Sequence, residues 1–392
     1  MKKVMKISTY LARLKPIGNY FFGNERYFKF INEENQDNRN KAQNYIVSSN
    51  LLPQQTTLLG MLRKEILIQS DCYKQKWGYS IEDKVKIKKL IGPSGFKIDE
   101  EREQYFGVIE SISQIYTYKD NCFYTIVPKD HIIHDKKKDK EKVIKKVNEY
   151  YTPFKTSVKE RVRVSFNLYE KNIPVLQGYD PKDGLSNDWM DISNGKIVPF
   201  GEIFATDKRI GIEKGEAGKT KEDSLFKTIS YRLKNNYEFA FFINLSDEME
   251  EDLKRKFSDN FQTIVYMGAD QTAFKLTISP SQKEEEKRLM EKYRSLIKKD
   301  NVNKVVLLSD TYVDHRIYDD CDFAITETID FRNIYVIHDK ECEKANSRLK
   351  KIDKKYCFIK RGSVFYTSDV EKLLNHINQN RNLIKIGYNI AL

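Results

Sequence analysis

The chain has 392 residues, a formal charge of +12 and 12% aromatic residues, among them 24 tyrosines and 22 phenylalanines. That length exceeds one comfortable hydrophobic core and predicts two domains or large insertions, and cations with many rings suit phosphate contacts and base stacking. Five scattered cysteines without a C-x-x-C pair argue against a disulfide framework or a zinc ribbon, and no apolar run reaches the ~20 residues of a membrane helix or the profile of a signal peptide, so a cytoplasmic protein is expected.

In chain order, Lys6 to Leu14 alternates like a strand and is followed by the Pro16 and Gly18 break. Asn19 to Phe28 reads as a loop with five aromatics around Gly23 and Arg26, and the polar Glu33 to Gln43 as an excursion. Pro53 fits a first helical position, and Leu58, Leu62 and Ile66 then mark a core face. Thr56, Gly60 and Lys64 form a second row beside Arg63. A mid-helix glycine costs about 1 kcal/mol relative to alanine, so Gly60 implies close packing against a neighbour or close approach of a ligand.

Tyr73 to Lys89 is amphipathic and basic, and Ile91 to Gly95 is a turn. Phe106 to Tyr118 and Asn121 to Pro128 predict a hairpin. The charge run Asp135 to Lys146 and the polar stretches up to Gly195 read as insertion. From Ile197 onward a second compact region is expected. Its parts are a hairpin at Tyr231 to Leu245, a helix at Asp247 to Phe257, a hairpin at Thr263 to Ile278 and a helix at Gln282 to Lys299, in a split βαβ plan. A strand at Lys304 to Ser309, the segment Tyr356 to Tyr366 and a helix at Asp369 to Ile377 complete it.

Catalytic signals are thin. Gly215 to Thr220 lacks the first glycine of a phosphate loop, His131 and His134 point to opposite faces of an extended segment, and His338, Cys342 and Cys357 have no metal-site spacing. The crowded Asp310, Asp314, Asp319, Asp320 and Asp322 read as a solvated loop. Neither a catalytic residue nor a metal or other cofactor is expected. Basic pairs beside glycine carry more: Lys208-Arg209 before Gly211, and Lys360-Arg361-Gly362-Ser363 between Phe358 and Phe365, combine backbone N–H groups, cations and rings as a phosphate site needs.

Phe21, Phe22, Arg26 and Phe28, followed by the S-S-x-x-x-P-x-x-x-T-x-x-G-x-L-R run from Ser48 to Arg63, resemble the third-subunit family of Cmr complexes, RAMP proteins of type III-B CRISPR effectors. Arg209 to Ile212, Leu225-Phe226, Tyr231 to Leu233, Gly362 to Tyr366 and Gly387 to Asn389 agree in order, so the resemblance spans nearly the whole chain. It departs at Asn24-Glu25, where an aspartate is common, and at Met267 to Asp270, which lacks a glycine pair.

The resemblance implies an α+β protein of two ferredoxin-like (RRM-like, RAMP) domains with long insertions, residues 1–196 and 197–392, with 135–195 rich in insertion. The implied role is non-catalytic: to hold the crRNA 5′ handle and to dock the large polymerase-cyclase subunit onto the backbone RAMP subunits, touching target RNA only indirectly, in antiviral defence. The implied RNA set is Arg26, Arg63, Lys64, Lys208, Arg209, Lys360 and Arg361 for phosphates and Phe21 or Phe22 for a base. Ser48, Ser49, Thr56, Gly60, Gly362 and Ser363 belong to the same surfaces. The alternative is a metal-independent RAMP endoribonuclease processing repeat RNA, which needs a histidine or tyrosine base near a 2′-OH.

Overall fold

The first described stretch is strand β1 (Ile7–Pro16), and the N-terminal part continues with β2 (Tyr27–Phe30), β3 (Asn44–Ser48), α1 (Gln55–Gln69), α2 (Ile81–Ile91), β4 (Ile109–Ile112), β5 (Tyr116–Lys119) and β6 (Cys122–Ile126). The hairpin β7 (Thr156–Phe166) and β8 (Tyr169–Leu176) comes next. After it lie β9 (Trp189–Asp191), β10 (Ile197–Val198), the single turn α3 (Phe200–Ile203), and the long strands β11 (Phe204–Lys214) and β12 (Thr220–Leu233). Then follow β13 (Glu238–Ser246), α4 (Glu251–Ser258), β14 (Phe261–Met267), β15 (Thr272–Pro280), α5 (Glu285–Ile297) and β16 (Lys304–Val306). A 3₁₀ turn (His315–Asp320) precedes β17 (Phe323–Ile325), β18 (Thr328–Phe331), β19 (Ile334–Ile337), β20 (Arg348–Lys351), β21 (Tyr356–Ile359) and β22 (Val364–Tyr366). Helices α6 (Val370–Ile377) and α7 (Arg381–Lys385) close the chain. This computed structural model describes residues 7–23, 27–30, 44–74, 80–130, 156–166, 169–176, 187–214, 220–234, 236–247, 249–268, 270–282, 284–297, 303–332, 334–337, 348–351 and 354–392.

The architecture is mixed α+β with several antiparallel sheets. The largest runs β10-β9-β6-β5-β13-β1-β15-β14, with β4 beside β5 on β13. Strand β13 is apolar without alternation because both its faces are covered. On one face Phe239, Phe241 and Ile243 join Tyr10, Ala12 and Leu14 beneath Leu58, Leu62 and Ile66 of α1 and Leu253 and Phe257 of α4. On the other, Ala240 and Phe242 join Leu11, Tyr293 and Ile297 of α5, and Val306 and Val364 of a small sheet ordered β16-β22-β17.

Several expectations change. The turn at Tyr231 to Leu245 exists, with Asn236 at φ 63°, but no hairpin forms across it. Both edges of β13 are taken, by β1 and by β4 and β5, while β12 pairs with β11 and in parallel with β3. The split βαβ plan gives way too: α4 joins β13 to β14, which run antiparallel with β1 and β15 between them. Residues placed in the insertion, Trp189 to Asp191, are fully integrated as β9. The main sheet draws β1, β4, β5, β6 and β9 from before residue 196 and β10, β13, β14 and β15 from after it, so the expected 196/197 boundary does not divide the sheet. Helix α1 begins two residues later than Pro53 suggested, with Gln54 as its N-cap. The hairpins β5–β6 and β14–β15, helix α5 and the Asp369-capped α6 form where expected.

Candidate nucleic-acid interface

Four strands, β11-β12-β3-β2, make a second sheet. Its register aligns stretches far apart in sequence: Lys208 lies opposite Ile229, which lies opposite Ser48, and Arg209 connects through Thr228 to Val47 and then Tyr27. Two strand spacings, about 10 Å, separate the backbones of Lys208 and Ser48. Lys208 and Arg209 are exposed strand residues rather than loop residues, and Arg209 Nε donates to Asp207 at 2.8 Å. At the end of β3 the Ser49 hydroxyl accepts from the Phe22 backbone N–H at 2.8 Å, the Asn50 amide donates to the Gly23 carbonyl at 2.9 Å, and the Tyr20 hydroxyl donates to the Leu51 carbonyl at 2.8 Å. The end of β3 therefore fixes the aromatic loop that precedes it in sequence.

Beside this junction opens a cavity of about 360 Å³, lined among others by Ser48, Ser49, Asn50, Tyr231, Lys129, Glu327, Asp310, Lys360 and Arg361. Its floor is charged but largely self-neutralised. Lys129 Nζ donates to Glu327 Oε2 at 2.7 Å and Lys360 Nζ donates to the other oxygen of the same carboxylate. Burial raises the Glu327 carboxyl, but the two ammonium groups outweigh it and leave it below the ordinary range. Burial in turn lowers the Lys129 ammonium against the pull of Glu327. Arg361 is buried; its Nε and Nη2 donate to Asp310 at 3.3 and 3.4 Å and its Nη1 to the Ile115 carbonyl at 3.2 Å. Gly362 adopts φ +82°, where an added Cβ would stand 2.9 Å from Ile126 Cγ2, and the Ser363 hydroxyl accepts from the Glu327 N–H at 3.3 Å.

Residues 12–392 match the family described as CRISPR-associated protein (Cas_Cmr3). The chain belongs to the Cmr3 family. Similar solved chains come from cryo-EM structures of the type III-B Cmr-beta complex. One is bound to cognate target RNA and AMPPnP and one to cognate target RNA; both are 13% identical, cover 97% of this chain and 96% of that chain, and have TM-scores of 0.44 and 0.45. A chain of the apo state is 9% identical over 69% of this chain and 96% of that chain, with a TM-score of 0.27. No curated protein matches.

In this Cmr3 chain the structure brings Ser48, Ser49, Lys360 and Arg361 to one cavity, sets Lys208 two strands away in register with Ser48 and Arg209 on the opposite face of β11, and leaves other expected site residues elsewhere. Phe22 is core, stacked on Phe274 with centroids 5.8 Å apart, which closes it off as a base platform; Phe21 is half-buried. Thr56 is half-buried near the Tyr388 hydroxyl. Gly60 is exposed with open space where a Cβ would stand, so close helix packing is not its reason. Arg63 donates to the Ser94 carbonyl at 3.0 Å and lies 5.4 Å from the Phe106 ring centroid, and burial lowers its guanidinium to about 10. Lys64 is exposed, 5.7 Å from the Tyr73 ring. Arg26 lies outside the described residues, as do His131, His134 and the charge run Asp135 to Lys146.

Sequence reasoning missed Asn50, which fills an unspecified position of the Ser48 to Arg63 run, and Lys129 and Glu327, which sit in no motif. It read the aspartate cluster as solvated, which holds for the exposed Asp314, Asp319 and Asp322, whereas the partly buried Asp310 holds Arg361 and Asp320 holds His376 and Lys372 at 2.7 and 2.9 Å. Among the described residues no group of three or more metal-ligating side chains converges, and no helix is long and apolar enough to cross a membrane.

Proposed function

We propose that this Cmr3 family member is a non-catalytic subunit of a type III-B CRISPR effector that binds the crRNA 5′ handle and docks the large polymerase-cyclase subunit to the backbone RAMP subunits. The observation that carries the handle reading is that two distant stretches, Ser48-Ser49 and Lys360-Arg361, line one cavity, with Lys208 in register with Ser48 two strands away in the adjoining sheet. Exposed Lys208 and Arg209 supply phosphate contacts, Lys360 lies at the cavity with its charge shared with Glu327, and Arg361 positions the turn rather than reaching outward. Phosphate contacts of this kind orient the RNA without reading its sequence.

The test is a Lys208→Ala, Arg209→Ala, Lys360→Ala variant assembled with crRNA. Losing three single-strand phosphate contacts should reduce the salt slope of binding by about 2. Wild-type affinity and slope in that variant would exclude this surface. Incubation of the purified chain with repeat RNA in EDTA should return the RNA intact, and a cyclic phosphate end would refute the non-catalytic role.

A further inference from the structure

The main sheet has an open half. Its α5 face is covered over β13 and the adjoining end of β1, but the cover stops before β14, the outermost strand. On β14, Gln262, Ile264 and Tyr266 alternate as exposed residues while Val265 and Met267 are buried, so one face of this edge meets solvent. The register carries that face inward: Ile264 lies opposite Lys275, which lies opposite Lys15, and Tyr266 lies opposite Ala273, whose carbonyl accepts from Ile17 N–H at 3.0 Å. Tyr266 is 54% exposed and Ile17 62%, and with Ile264 they gather on this one face.

Lys15 and Lys275 are directly opposite on neighbouring antiparallel strands. Registered pairs share a face with their Cβ atoms about 5 Å apart, and like charges so placed cost stability. No carboxylate pairs with Lys275 among the described residues, and Lys15 Nζ donates to the neutral Asn236 Oδ1 at 3.1 Å. Next to Lys15 a hollow continues the cationic path with Arg232 and Lys234, against Glu202 alone. At the inner boundary Glu238 is bound to Arg13 at 3.5 Å. The unpaired charge on this face is thus positive and it is arranged beside an exposed ring.

We propose that the open sheet face formed by Lys15, Ile17, Ile264, Tyr266 and Lys275 is a second RNA site, which takes single-stranded RNA with phosphates on the two lysines and a base on Tyr266. An anion between Lys15 and Lys275 relieves their repulsion. A ring standing on a sheet is a sequence-tolerant platform, because every base has a π face. Strand-to-strand spacing near 5 Å lets successive nucleotides run across β1, β15 and β14 toward the hollow.

The experiment uses the full chain carrying Lys208→Ala, Arg209→Ala and Lys360→Ala, so that the cavity surface is already silenced, and fluorescein-labelled oligouridylate as probe. Tyr266→Ala should weaken binding on the order of tenfold and Tyr266→Phe should restore it. Lys275→Gln should lower the salt slope by about 0.7. Without RNA, Lys275→Gln should melt at or above its parent, because a like-charge pair is gone. Unchanged affinity and slope in both Tyr266→Ala and Lys275→Gln would overturn the site, as would equal competition by duplex RNA. Retained oligouridylate binding with lost co-purification of partner subunits would make this a protein-docking face and also overturn it. None of these outcomes depends on whether the handle binds at the cavity.

Discussion

Gly60 sits in the middle of α1, exposed to solvent, with nothing within 4 Å of the point an added Cβ would occupy. A glycine there spends helix stability without gaining a packing contact. Gly60→Ala should therefore raise the unfolding free energy by about 1 kcal/mol in urea titration; an unchanged or lower value would mean that the site is crowded in the free protein. Arg361 teaches the opposite lesson. Its sequence setting, between a lysine and a glycine, resembles a phosphate loop, yet its guanidinium donors are used inside the fold by Asp310 and Ile115. Residue type and spacing cannot distinguish the two cases, because a cation that reaches a phosphate and one that anchors a turn use the same side chain. Arg63 is a third case: it packs on Phe106 and Ser94 instead of meeting a carboxylate.

At the scale of elements, the start of α1 is fixed from the far end of the chain. The Gln55 side chain is fully buried, and its Nε2 donates to the carbonyls of Gly387 at 3.1 Å and Ser113 at 3.3 Å. Gly387 follows α7 with φ +85°, and an added Cβ would stand 2.4 Å from the Ser113 carbonyl oxygen and 2.7 Å from Gln55 Nε2. Gly387→Ala should lower stability by at least the roughly 1–3 kcal/mol of a strained left-handed residue, and by that much again if the clash shifts α7. Equilibrium denaturation reads it, and a neutral result would mean that the α1, β4 and α7 ends are not tightly joined. The family resemblance marks Gly387 to Asn389 as a landmark; its physical content is this joint, where Asn389 also donates to the carbonyls of Tyr312 and Ile377, both at 3.0 Å.

Across the whole molecule, two sets of carboxyls bend stability with pH in opposite senses. Hydrogen bonds from Arg316 hold Asp314 below its ordinary value, and hydrogen bonds from His376 and Lys372 do the same for Asp320. Folded values below the unfolded ones mean that their contribution is present above about pH 4 and is lost as pH falls through the folded values. Glu286, which α5 lays toward Tyr116, is pushed up by burial to about 7. Its folded state holds the proton more tightly than the unfolded chain, so its contribution is full below the unfolded value and falls as pH rises from there through about 7. Melting temperature followed against pH should decline over that window in the parent and decline less in Glu286→Gln; identical curves would show that Glu286 is solvated.

Periodicity by itself determined the local elements. Leu58, Leu62 and Ile66, the capped α6 and the hairpins β5–β6 and β14–β15 are legible because each depends on neighbours within a few residues. The ordered landmarks along the chain were legible too, and they pointed to the Cmr3 family. Tertiary structure alone decided which strands meet and which cations are free. A strand has only two edges, and β12 and β13, adjacent in sequence, fill theirs with different partners. A lysine or arginine is outward or inward according to whether a carboxylate from a distant segment arrives beside it, as Asp310 and Glu327 do at the cavity and as none of the described ones does at Lys275.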